Sequence, residues 1–183
     1  MTISLRSAGI TNFKAGNLQS TVGVNNDYRV QVGDIAVSTA AQNAVGSQII
    51  LAQVTHKSII DGILISNTDM DTNGTPTLAF NLGLYTYDFR NDTFTAASDV
   101  NSSSLAACFA SASTQLQAAA TLTELAGSAS NVRVCGKMAI RVADLIGDEN
   151  VNPDVGYFIG MAISTASATA AAGTVSFRIT TIG

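Results

Sequence analysis

Charge is what this sequence has least of. Only 12% of its 183 residues are Asp, Glu, Lys or Arg, against roughly 25% in a typical soluble domain. Nine basic and 13 acidic side chains leave a net charge of −4. No Lys/Arg cluster occurs, which argues against sequence-independent binding to nucleic acid, since that depends on neutralising phosphates. Tryptophan is absent, which removes the usual stacking floor of a sugar cleft. One histidine and two widely spaced cysteines cannot assemble a zinc set, so no metal or cofactor is expected. The longest aliphatic runs, such as YFIGMAIS (157–164), fall far short of the roughly 20 residues that cross a bilayer. MTISLRSAG has neither the basic region nor the apolar core of a signal peptide. A soluble protein made in a cytoplasm, with no membrane partner, is expected. In that setting Cys108 and Cys135, both in apolar surroundings, read as reduced and buried, a disulfide being the alternative.

What fills the chain instead is Ala, Ser, Thr and Asn around an ordinary 46% of hydrophobic residues, enough for one well-cored domain. A surface this poor in charge suits a subunit covered by partners, because free monomers rely on charge for solubility. Residues 1–27 are polar, Gly/Asn-rich and without sustained period, and they read as an N-terminal arm ordered only where something holds it. Phe13 is its one aromatic anchor, beside Lys14, and Arg6 is its other cation. These three are the candidate partner-binding residues.

Residues 28–183 read as a single β domain. YRVQV (28–32) alternates and ends at Gly33-Asp34; QIILAQV (48–54) and SIIDGILIS (58–66) are dense in Ile, Leu and Val. TLAFNLGLYTY (77–87) sets Leu78, Phe80, Leu82 and Leu84 on one face, the strongest strand pattern in the chain. GYFIGMAIS (156–164) predicts a face of Ile159, Met161 and Ile163. GTVSFRITTI (173–182) predicts one of Val175, Phe177 and Ile179. Between these runs, 98–112 predicts a short helix capped at Ser98 or Asp99, 114–118 a strand, and 136–147 a helix stopped by Gly147. Strands at this spacing, with one or two short helices, predict a mainly β fold: an antiparallel β-sandwich or jelly-roll-like barrel.

The motifs carry little chemistry. DMDTNG (69–74) opens like a calcium loop, with Asp69, Asp71, Asn73 and Gly74 at its first, third, fifth and sixth positions. The twelfth position, however, is Phe80 inside a strand, so the segment reads as a hairpin tip, with weak calcium binding as the alternative. His56 lies beside Lys57 between two strands, and no nucleophile elbow exists to partner it. Gly136-Lys137 lacks the spacing of a phosphate-binding loop. Asp144, Asp148 and Glu149 cluster near a helix end and read as a solvated loop rather than an acid/base pair. No catalytic residue is expected.

Taken in order, Gly33-Asp34, IILAQV, IIDGILISNTDMD, TLAFNLGLY, FTAASDV and PDVGYFIGMAISTASATAAAGTVSFRITTI resemble the head decoration, or cement, proteins of tailed bacteriophages. The resemblance spans roughly residues 30–183 and rests on texture. It implies a structural virion protein without enzymatic activity, on the outer surface of an icosahedral capsid. It also implies homotrimers seated at local threefold positions and bridging subunits of the major capsid protein. A phage tail, neck or baseplate component with the same kind of fold is the alternative, and a carbohydrate-binding module is one of another class.

Overall fold

Strands with an apolar face bury it against another such face, and here two sheets do so. The computed structural model describes residues 4–6, 28–88, 90–124, 140–147 and 156–182. Its elements in chain order are β1 (Ser4–Arg6), β2 (Tyr28–Val37), α1 (Thr39–Asn43), β3 (Gln48–Val54), β4 (Ile59–Asn67), β5 (Ala79–Asp88) and β6 (Thr93–Ala96). Then come β7 (Ala110–Ser113), a 3₁₀ turn (Gln115–Gln117), β8 (Ala120–Glu124), β9 (Ile140–Arg141), α2 (Val142–Ile146), β10 (Tyr157–Thr165) and β11 (Gly173–Ile182). The first sheet runs β1-β3-β10-β5-β6, with β7 also on the edge of β5. The second runs β2-β11-β4-β8, with β9 also on β4. All pairings are antiparallel except β1 on β3. The fold is a β-sandwich.

The predicted faces meet between the sheets. Leu78, Phe80, Leu82 and Leu84 pack in one buried cluster with Ile159, Met161, Ile163, Val175, Phe177 and Ile179. Burying each such side chain contributes about 1.5–3 kcal/mol. In the middle of β2, the ring of Phe177 lies over Gly33, where a Cβ would stand 2.9 Å from Cζ. Gly33 therefore does not end the strand, as the sequence suggests; it makes room for a core ring while pairing continues to Val37.

The outer face of the first sheet carries a second apolar cluster of Ile50, Tyr85, Phe94 and Phe158, with Phe94 and Phe158 edge to face at 5.0 Å. Gly83 and Gly160 sit opposite each other on this face. A Cβ on Gly160 would stand 2.8 Å from Ile50 Cδ1, and one on Gly83 would overlap the backbone of Leu105 and Ala106. The bare pair lets the 98–109 segment lie directly on the sheet, where Leu84 N donates to Leu105 O and Phe109 N to Leu82 O. Tyr85 is buried there, and among the described residues its hydroxyl has no hydrogen-bond partner. Burial, and secondly the nearby Cys108, pushes that hydroxyl up to about 12. Cys108 itself is a buried thiol, and Cys135 lies outside the described residues.

Three predicted elements differ. Residues 98–112 form no helix. Asp99 Oδ1 accepts from Asn101 N and Ser103 N, Ser98 bridges Ser104, and only Ala110–Ser113 is regular, as a strand. Ser, Asn and Asp side chains here satisfy the backbone locally and compete with helix hydrogen bonds. The 114–118 strand is instead the 3₁₀ turn that inserts Leu116 into the core. The 136–147 helix shrinks to Val142–Ile146 because Ile140–Arg141 pairs with Ile59–Ile60; Gly147 does stop it, at φ 76°. Residues 136–139 lie outside the described residues. A further helix, α1, was not predicted; Ser38 caps it by accepting from Ala41 N.

Two substitutions separate crowding from polarity on the outer face. Gly83→Ala adds one methyl and is expected to cost about 1–3 kcal/mol or more, by overpacking against backbone that has no free rotamer. Tyr85→Phe removes a buried hydroxyl that has no partner among the described residues and is expected to be neutral or stabilising by about 1 kcal/mol. Urea denaturation of the two variants against the parent measures both.

Candidate interaction surfaces

The DMDTNG segment is neither a hairpin tip nor an EF-hand. It leaves β4 in the second sheet and delivers β5 to the first, so it crosses between layers. The 166–172 connection makes the reverse crossing from β10 to β11 at the same end. Asp71 joins the two. It is 1% exposed, and its Oδ2 accepts from Thr77 N at 2.8 Å, Leu78 N at 3.0 Å and Ala168 N at 3.1 Å. Its Oδ1 accepts from Thr169 N at 2.9 Å. Backbone pairing of Thr72 N to Thr169 O and Ala171 N to Met70 O reinforces the joint.

Burial of Asp71 pushes its carboxyl upward, but the N–H donors of Thr169, Leu78, Thr77 and Ala168 outweigh it and hold the group well below the usual carboxylate range. Both oxygens face hydrogen-bond donors, an environment built for the carboxylate itself and hostile to a cation beside it. Asp69 is exposed, and its Oδ1 closes a local turn by accepting from Asp71 N at 3.1 Å. The calcium-like spacing thus serves a structural anion site. The signal available in the sequence was the 166–172 connection, which has no Asp, Asn, Glu or Gln of its own to accept from its backbone N–H groups.

At the opposite end, the β3–β4 turn and α2 form an open recess of about 300 Å³ lined by His56, Lys57, Arg141 and Ala143. Ala143 N donates to His56 O, so His56 is a turn residue that fastens α2. Arg141 and Asp144 form an exposed ion pair at 3.1 Å, of the kind that contributes about 0–1 kcal/mol. Asp148, Glu149 and the Gly136-Lys137 dipeptide lie outside the described residues. Among the described residues, no acid, base and nucleophile converge.

The outer face of the second sheet is different. Val30 and Val32 of β2 are 49% and 70% exposed, and the ladder sets Val32 beside Arg178 and Arg178 beside Leu64. Leu64, Ile59 and Ile182 are half-buried on the same sheet. Of the three candidate arm residues, Arg6 ends the short strand β1, which runs parallel to Gln48–Ile50. Phe13 and Lys14 lie outside the described residues. Sequence reading missed the valine face, because alternation reports a strand's period and not which side faces inward.

Acid should act on the Asp71 joint. Its folded carboxyl lies below its unfolded value near pH 4, so the contribution is present above that value and is lost as pH falls below it. Asp88, held low by Arg90 N–H and Asn91 at the β5–β6 turn, shares the same sign. Asp71→Asn is expected to cost about 1–3 kcal/mol at neutral pH and to flatten, without abolishing, the loss of stability below about pH 4. Thermal melts of parent and variant between pH 2 and pH 7 check both statements.

No family model matches the sequence, and no curated protein matches it. Solved structures do. A chain in the capsid of Ralstonia phage GP4 superposes with a TM-score of 0.64 at 19% identity, over 98% of this chain and 97% of that one. A chain in the capsid asymmetric unit of cyanophage Pam1 gives a TM-score of 0.54 at 20% identity, over 90% and 91%. At these identities the likeness is one of fold, and it runs nearly end to end in both directions.

Proposed function

We propose that the chain is a structural protein of a tailed-phage virion that decorates the outer surface of the icosahedral capsid. It sits as homotrimers at local threefold positions and bridges major capsid subunits, with no reaction to perform. The observation that carries this reading is the near full-length likeness to chains found in two phage capsids. The low charge of the sequence supports it, because contacts between uncharged surfaces need little desolvation of ions. So does the apolar outer face of the second sheet, since exposed patches rimmed by polar residues mark interaction sites.

The arm supplies the grip in this proposal. Phe13 fills an apolar recess of the shell protein, and Arg6 and Lys14 pair with its carboxylates. Such a segment gives up ordering entropy on binding and in return spans a subunit joint. Residues 28–183, to whose first sheet the arm adds β1 as an edge strand, form the domain that the arm tethers.

Electron microscopy of particles carrying the protein tests the location. Copies at threefold positions across the shell are expected, and density confined to a single vertex would assign it to the tail, neck or baseplate instead. For the arm, Phe13→Ala and Lys14→Glu should each lower occupancy on particles severalfold while leaving the circular dichroism spectrum unchanged. Undiminished occupancy in both would place the whole grip on the sandwich.

A further inference from the structure

We infer that copies of this chain meet through the β2 edge and outer face of the second sheet, with Val30 and Val32 at the centre of the contact. The Arg178 guanidinium of one copy pairs there with the Asp34 carboxylate of the next. The inference rests on the trimer reading above and names its surface.

Among the described residues β2 is the terminal strand of its sheet, ten residues long. Its register with β11 is unbroken from Tyr28 to Val37. Edge strands are usually protected by bulges, proline, charged side chains or brevity; β2 is long and has no bulge or proline, and its charges are Arg29 and Asp34 alone. Two of its outward side chains, at alternate positions 30 and 32, are large and apolar. Across the ladder, Val30 is followed by Thr180 and Gly62, and Asp34 by Ser176 and Ser66. The patch is therefore a valine centre in a field of small, uncharged groups.

Two charges flank the valines, one of each sign; Glu124, in register with Leu64, and Arg141, in register with Ile59, stand farther across the sheet. Arg178 is opposite Val32, and Asp34 is two residues along β2 on the same side. Both are exposed. Among the described residues neither side chain has an ion pair or hydrogen bond. With one acid and one base beside the valines, the β2 end of the face carries no net charge and can meet the same residues of neighbouring copies about a threefold axis, base to acid. A purely acidic or purely basic partner would leave one charge opposed by its like. In a closed ring each Arg178 meets the Asp34 of its neighbour and no charge is left over. Interface ion pairs fix partner and register in this way.

Sedimentation velocity at micromolar concentration tests the assignment with exposed positions that should not disturb folding, as circular dichroism verifies. The parent chain is expected to be a trimer. Asp34→Arg and Arg178→Asp are each expected to lower the association constant by about tenfold or more, and the double variant to restore it. Val32→Glu is expected to weaken assembly without rescue by either. If the parent is a trimer and the single reversals are as well assembled as it is, or the double is worse than both, the contact lies elsewhere and the inference fails while the trimer reading stands. A parent chain that remains monomeric overturns both.

Discussion

The Asp71 carboxylate is the point on which the two layers depend. A sandwich needs chain to pass between its sheets, and each crossing leaves backbone N–H groups with no strand to pair with. Here both crossings at one end, 68–78 and 166–172, turn those donors toward a single buried anion. The carboxylate makes charge-assisted bonds to both, so neither connection can shift without stranding the other. One acidic residue stands in for the longer, self-satisfying loops that would otherwise be needed.

Elsewhere, amides do what charges do in other proteins. Asn67 Nδ2 donates to Thr68, Gln115 and Ala118 carbonyls, and Gln117 Nε2 to Leu78 O. Buried Gln42 reaches Ala171 O at 2.7 Å, fastening α1 to the second crossing. Neutral groups satisfy buried backbone at far smaller desolvation cost than ions. The low charge content is thus distributed through interior and surface alike, and the surface it leaves suits contact with protein better than free solution.

How much of this was legible follows from range. Strand period is local: the inward faces of β5, β10 and β11 can be read from 77–87, 156–164 and 173–182, because successive side chains point to opposite sides of a strand. The sheet a strand joins is not local. Asn73-Gly74 signals a reversal whether its flanking strands pair or part, and here they part. The 98–112 segment misled because Ser98 and Asp99 resemble helix caps, while Asp99 in fact closes a loop onto Asn101 and Ser103. Gly83 and Gly160 look like interruptions until they are seen opposite each other beneath Leu105. The arm residues Phe13 and Lys14 are legible only as composition.

The phase of β2 is what its alternation alone leaves open. Its odd positions face the core, so Ile35 and Val37 are buried. The same parity turns Gln31 inward, where its Nε2 donates to Gln53 O at 2.8 Å, and it leaves Val30 and Val32 in solvent. A one-residue slip would invert every side chain of the strand, burying the two valines and exposing Ile35 and Val37. The unbroken ladder with β11 fixes the phase instead. The first sheet's outer face is covered by its own chain, through Gly83 and the 98–109 segment. The second sheet's outer face has no such cover among the described residues, yet it carries apolar side chains at the positions that alternate with its core. An apolar set on both faces of a strand is the pattern of a strand buried on both sides. The fold supplies one of those sides, and the proposed assembly supplies the other.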